Sequence, residues 1–504
     1  MFSEKLVGDN MGSLAGSIAR GSFIVGLSST INKVLALVFV LLILWFLPAQ
    51  EVGVYFIATA LMGLITLIPS MGIPTSLTRF TAYYIGQKKD SMVWPMFKNL
   101  ALLMFALSII TALVFYIGSE KISSFYNSQK LQNVISLIII VSPFLLLHPA
   151  NMGYIQGLRR FGLVALFSFL FMFAQIIALL YFIFIANEPT AYNAVFSKLI
   201  SYVFLIALEF GTIGIISIDY IKEAGKTLVW RDYKEIFSYG IPLYLSSYGS
   251  YLSNWTDTLV LGHYVESVLV AGYSAMAMIA RNVGYFISMI LSTVLNPTLS
   301  YLLGRGDIKK AVAVATHATK WYIALGTPLL LAVTIFPKQI INIILPSSGY
   351  SEFYYLLYIL APTFYTILLS AAYKNILWAK GRTDVFLKVS GIILIPNILL
   401  NFILIPLFGL IGAAIATAAS FISAEFLYIH EGRKYGVRFH KDTARIILIN
   451  FALGLSLYIA NVCFDLSFSG MLMLAVVFMF VYAGLLYALR IVSYKDVNLI
   501  IRGR

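Results

Sequence analysis

Apolar stretches of membrane-spanning length recur in this chain from near residue 21 to near residue 490, and that recurrence limits what it can fold into. About 20 consecutive apolar residues cross a bilayer as a helix, because a helix satisfies its own backbone hydrogen bonds where no water can. The runs fall near 21–47, 51–72, 95–117, 132–153, 162–186, 192–217, 236–263 and 268–303. Further runs lie near 310–336, 353–378, 385–405, 409–430, 444–464 and 468–490. Only 11% of the 504 residues are charged and 60% are hydrophobic, where a water-soluble domain carries about a quarter of its residues as charges. The expected fold class is an all-α polytopic membrane protein with about 14 transmembrane helices.

The net charge of +14 comes from 35 Lys and Arg, most of which sit in the loops between spans. One set of loops holds Arg79, Lys88, Lys89, Arg159, Arg160, Lys222, Lys226, Arg231, Lys234, Arg305, Lys309, Lys310, Lys380, Arg382, Arg433, Lys434, Arg438 and Lys441, whereas the other holds Lys121, Lys130 and Lys338. Basic residues stay on the cytoplasmic side, so both termini are expected there, in the cytoplasmic membrane of a prokaryote. The charge then fixes topology, and no nucleic-acid partner is implied. The single cysteine, Cys463, excludes a disulfide framework, and five histidines without ligand spacing offer no metal site. Residues 1–17 lack the apolar core of a signal peptide, so the first span is expected to be retained. With no phosphate-binding loop, zinc-protease motif or nucleophile elbow, neither an enzyme nor a resident cofactor is expected.

Internal echoes divide the chain. Gly53-Val54-Tyr55 is repeated by Ala271-Gly272-Tyr273, Pro74-Thr75 by Pro297-Thr298, Gly157-Leu158-Arg159 by Gly381-Arg382, and Glu209-Phe210 by Glu425-Phe426. The echoes keep their order, and an even number of spans per copy makes the repeat parallel. The expected organisation is a six-helix lobe at 1–217, a cytoplasmic linker at 218–234 and a second six-helix lobe at 235–432. Residues 433–504 then add two transmembrane helices and a cytoplasmic tail.

Charges inside the hydrocarbon region are costly and face a cavity or a partner. Lys33, Asp257, Arg281 and Lys320 lie deepest, with Lys198, Glu209, Lys374 and Glu425 nearer the ends of their spans. Polar and small residues share a helical stripe with several of them: Ser22, Gly26, Ser29 and Lys33, then Ser246, Ser250, Ser253 and Asp257 beside Asn254. A third stripe runs through Ser274, Arg281, Tyr285, Ser288 and Ser292, and a fourth through Thr59, Gly63, Thr66 and Ser70. Tight helix packing also uses small and hydroxyl residues, yet packing alone gives no reason for a full charge. A central cavity between the two copies accounts for all four stripes. At 1.5 Å per residue, Lys33 and Arg281 lie level, roughly 20 Å from the outer ends of their spans, and Asp257 only about 10 Å in. Two level cations repel unless an anion lies between them, so a phosphate- or diphosphate-bearing substrate is expected.

The stretch GLIGAAIATAAS at 409–420 after Pro406, AGYSAMAMIARN at 271–282, Asn254-Trp255-Thr256-Asp257 before Leu261-Gly262, and Asn296-Pro297 with Ser300 carry a resemblance. With the doubled six-helix pattern, the chain resembles the polysaccharide flippases of the multidrug/oligosaccharidyl-lipid/polysaccharide exporter superfamily. The resemblance implies two lobes in a V around a cavity lined by the first, second, seventh and eighth helices. It implies translocation of a polyprenyl-diphosphate-linked oligosaccharide by alternating access, with membrane lipids and polysaccharide assembly proteins as partners. It makes Lys33, Arg281, Tyr285, Asn254, Ser29 and Ser250 the substrate-binding candidates and Asp257 the ion-coupling candidate. The alternative is an ion-coupled multidrug antiporter, for which a buried acid must face the cavity. A lysine where that branch has a carboxylate in the first span places drug efflux second.

Overall fold

The computed structural model describes residues 11–225, 228–345, 349–464 and 468–491. The chain ends, expected on the cytoplasmic side, lie outside the described residues, as do the side chains of Ser22 and Gly26. Among the described residues the chain is helical with no strand. In order the helices are α1 (Met11–Phe46), α2 (Ala49–Ser70), α3 (Ile73–Gly86), α4 (Val93–Phe125), α5 (Gln129–Leu145), α6 (Leu147–Gly157), α7 (Phe161–Phe184), α8 (Ala191–Ile216) and α9 (Ile218–Lys222). There follow α10 (Trp230–Tyr264), α11 (Ser267–Gly304), α12 (Ile308–Ile335), α13 (Pro337–Ile344), α14 (Leu357–Ala379), α15 (Thr383–Arg433), α16 (Thr443–Phe464) and α17 (Phe468–Ala488).

Among the described residues, 11 helical stretches are long and apolar enough to cross a bilayer, so the chain is a multi-pass membrane protein. The expected count of 14 is approximate for two physical reasons. The helix α10 is long enough but rich in Ser and Tyr, and it falls outside the 11. The long α15 is two arms joined at Gly409, whose backbone (φ 57°, ψ −129°) is left-handed and non-helical, with Pro406 just before it. Spans break elsewhere for similar reasons: Pro143 lies near the end of α5, and left-handed Met71 and Gly72 end α2 and start α3. At the opposite ends, Ser128 and Thr190 cap α5 and α8 through side-chain oxygens that accept from Leu131 N–H (3.3 Å) and Asn193 N–H (3.2 Å).

The chain forms two compact units, Met1–Tyr251 with Glu266–Ala271, and Leu252–Val265 with Gly272–Arg504. The interior of unit 1 gathers Ile73, Phe80, Met96, Phe97, Tyr154 and Phe167 from α3, α4, α6 and α7, with the Phe97 and Tyr154 rings stacked 4.2 Å apart. Its periphery is apolar: Leu113, Val114 and Ile117 of α4 are exposed, Ile117 at 81%, as a lipid-facing surface requires. In unit 2, Ile323, Ile335, Ile446, Phe478 and Tyr482 tie α12 to α16 and α17. Tyr482 O–H donates to the Ala324 carbonyl (3.0 Å), and Lys320 Nζ donates to the Ile491 carbonyl (3.0 Å). The two helices added after the repeat are therefore built into unit 2.

Candidate functional site

Arg281 sits on α11 beside Gly284, where the absence of a side chain lets α14 approach to the Phe364 backbone. That approach sets the guanidinium near two rings, with centroids 5.6 Å away for Phe364 and 5.9 Å for Phe421. The rings pack edge to face 5.2 Å apart. Arg281 Nη1 donates to the Asn254 carbonyl of α10 over a long 3.4 Å, and Nε is buried with no hydrogen-bond partner. Cation–π contacts are worth about 0.5–2 kcal/mol, whereas a buried donor left unmade costs about 1–3 kcal/mol. The guanidinium thus keeps donor capacity that an oxyanion could take up.

Asp257, one turn along α10 from Asn254, is 2% exposed. Its Oδ2 accepts from Tyr273 O–H (2.8 Å) and Thr417 O–H (3.1 Å), and its Oδ1 accepts from Thr258 N–H (2.7 Å) and O–H (3.3 Å). Among the described residues it forms no ion pair, so neutral donors alone hold a buried carboxylate. Sequence reasoning missed both Tyr273 and Thr417. Each lay inside a quoted motif, but nothing in one dimension shows that α11 and the second arm of α15 meet at Asp257. Phe364 and Phe421 escaped for the same reason. Tyr285, one turn beyond Arg281, is 38% exposed, and Ser250 is exposed with its hydroxyl donating to the Ser246 carbonyl (2.9 Å).

In unit 1, Lys33 and Ser29 lie on an exposed face of α1. Beside them Asn32 Nδ2 donates to Ser28 Oγ (3.3 Å), and Asn32 Oδ1 is buried without a partner. The stripe on α2 has a packing role at Gly63, where a Cβ would collide with the Tyr251 hydroxyl, itself donating to the Ala60 carbonyl (2.8 Å). Thr66 and Ser70 bond to carbonyls of their own helix.

The other intramembrane charges have internal partners. Lys198 lies over the Tyr55 (4.8 Å) and Phe39 (5.7 Å) rings. Lys374 is ion-paired with Glu425 at 2.8 Å, and Ser370 O–H donates to the same carboxylate. Glu209 meets His148 Nδ1 at 2.6 Å and accepts from Asn151 Nδ2 at 3.1 Å.

The comparisons agree with this architecture. The profile of the family described as polysaccharide biosynthesis protein matches residues 18–303, and the MatE profile matches residues 242–403. An uncharacterized membrane protein of Methanocaldococcus jannaschii, MJ1068, is 25% identical over 391 residues, covering 74% of this chain and 75% of its own. A probable low-salt glycan biosynthesis flippase of Haloferax volcanii, Agl15, is 24% identical over 201 residues, covering 40% of this chain and 42% of its own. Among solved structures, the lipid II flippase MurJ in an inward closed conformation superposes with a TM-score of 0.71 at 13% identity, over 93% of this chain and 100% of that one. An inward-facing multidrug resistance transporter of the MATE family gives 0.66 at 15% identity, over 80% and 94%. Those two likenesses concern the fold. The family profile covers more than half of the chain, and the chain belongs to the polysaccharide biosynthesis protein family.

Proposed function

We propose that this chain flips a polyprenyl-diphosphate-linked oligosaccharide across the cytoplasmic membrane by alternating access, with both termini on the cytoplasmic side. The observation that carries the reading is Arg281, an intramembrane guanidinium with a buried, unpartnered Nε. A diphosphate offers planar pairs of oxygens that match a guanidinium edge, which a cationic drug does not. Lys33 is the second cation for the head group, with Ser29, Ser250, Asn254 and Tyr285 as hydroxyl and amide contacts for sugar, and Asp257 is the ion-coupling carboxylate. The names of the flippase relatives support the substrate class.

The second reading is a multidrug antiporter, favoured by the MatE profile over residues 242–403. It requires a carboxylate facing the cavity from the first span, where this chain has Lys33. Native mass spectrometry of the protein in mild detergent, beside the Lys33→Gln/Arg281→Gln double variant, tests the choice. A retained polyprenyl-diphosphate sugar in the parent and none in the variant is the expected result. No such lipid in the parent, with energy-dependent efflux of cationic dyes from expressing cells, would put the antiporter first.

A further inference from the structure

Each unit buries a glutamate at the echoed position, Glu209 in unit 1 and Glu425 in unit 2, and these two have chemically different partners. In unit 2, Glu425 on the second arm of α15 is held by Lys374 and Ser370 of α14. In unit 1, Glu209 on α8 is held by His148 and Asn151 of α6, one carboxylate oxygen to each. Glu209-Phe210 and Glu425-Phe426 are one of the sequence echoes, so the repeat has kept the acid and changed the base.

From this substitution we infer that His148–Glu209 is a proton-binding site that drives or gates transport, separate from Asp257. The inference rests on the flippase reading for what is moved and adds the ion that is coupled.

Lys374 and Glu425 make an ammonium–carboxylate tie between helices at 2.8 Å. Imidazole is the side-chain type whose unperturbed charge change lies between pH 5 and pH 8, which an ammonium does not offer. When a proton adds to the His148 ring, the charge it brings is met by Glu209 2.6 Å away, and the pair passes from net −1 to net neutral. No electron moves and no other bond changes. The surroundings fix the ring without adding a fixed charge: Phe171 of α7 stacks on it at 5.2 Å, and Tyr202 of α8 meets it edge-on at 5.6 Å. Tyr202 is a titratable side chain that faces the pair, its hydroxyl under the influence of the Glu209 charge. Among the described residues, no charged group of α3, α4, α5 or α7 ion-pairs with it.

A second, independent observation is Asn151. It is wholly buried, its amide nitrogen is committed to Glu209 Oε2, and its Oδ1 has no partner. Reversing the amide would set oxygen against carboxylate, so this orientation is electrostatically fixed and an acceptor is left open beside the pair. A water delivering a proton could donate to it. A change of one unit charge inside a packed lobe shifts the balance between conformations that expose the pair differently.

The test uses the full chain in lipid nanodiscs with 15N-labelled histidine. The His148 signal is assigned by its loss in His148→Gln, or by its retention when His263, His317, His430 and His440 are all replaced. The expected result is a change of protonation state of His148 between pH 5 and pH 8, displaced in Glu209→Gln and unmoved in Asp257→Asn. In parallel, proteoliposomes carry a fluorescent polyprenyl-diphosphate disaccharide as the probe, with and without a pH gradient. His148→Lys, which copies the pair of unit 2, should reduce the stimulation by the gradient at least fivefold. A His148 ring that stays in one protonation state from pH 5 to pH 8, or a His148→Lys variant with the gradient response of the parent, would overturn the inference. A parent that does not flip the probe while His148 titrates as described would sink the flippase reading and leave the proton site standing.

Discussion

Arg281 and Lys374 are both cations within spanning helices, and their partners set their consequences apart. Lys374 is spent on Glu425, so Lys374→Ala leaves a carboxylate buried at 4% exposure without its cation. Losing one member of such a pair costs about 3–5 kcal/mol, and a fall in the unfolding temperature of the detergent-solubilised protein should report it. Arg281 is bound by two rings and one long hydrogen bond, so Arg281→Gln should leave that temperature nearly unchanged. Export should instead fall by roughly tenfold or more, read as loss of surface polysaccharide in cells whose own flippase is deleted. Normal export by that variant would remove Arg281 from the site. The sequence already singled out Arg281, Asp257, Lys374, Glu209 and Glu425, because a charge inside an apolar run stands out in one dimension. It could not sort them, because pairing depends on which helices are neighbours, and that was visible for none of the five.

At the scale of the helix, the joint in α15 shows how far a local sequence signal reaches. The run 385–405 and the run 409–430 read as two spans with a short connection, and the structure has two helical arms folded back on each other at Gly409, with Asn397 Nδ2 of the first donating to Ser420 Oγ of the second (3.0 Å). The reversal follows from two residues, since Pro406 removes a helix hydrogen bond and Gly409 takes a positive-φ backbone conformation that other residues rarely adopt. Gly409→Ala should therefore cost about 1–3 kcal/mol, while Gly391→Ala, helical and with open space where its Cβ would go, should be neutral or slightly stabilising. Thermal unfolding of the two variants side by side checks the contrast. The loop between α15 and α16 supplies a pH effect. Burial, then the neighbouring His317 ring 4.5 Å away, hold the His440 imidazole below the usual histidine value, with Asp442 opposing. The folded loop thus prefers neutral His440. Its contribution is complete above the ordinary histidine value and declines as pH falls below it, because the opened loop then binds the extra proton. Amide protection around 438–446, corrected for intrinsic exchange, should drop between pH 7.5 and pH 5.5 and drop less in His440→Gln.

For the molecule as a whole, the sequence made the membrane class and the doubled architecture readable, because apolar length and ordered echoes are one-dimensional signals. The chemistry that separates the copies was not readable. Tyr55 and Tyr273 occupy echoing positions, yet Tyr55 lies under the Lys198 ammonium and Tyr273 donates to Asp257. Identical side chains at matching positions thus serve opposite charges. Likewise the added helices read as an appendix, since nothing in 433–504 echoes the rest. The bond from Lys320 to the Ile491 carbonyl changes how that appendix can be handled in the laboratory. A shortened version ending after α15 would take the carbonyl away from a lysine that is 3% exposed, and would strip Ile323, Ile335 and Ala324 of their cover. A minimal twelve-helix version of the protein is therefore a poor starting point for crystallisation or directed evolution. A purification tag belongs beyond residue 491, with the last helix left whole.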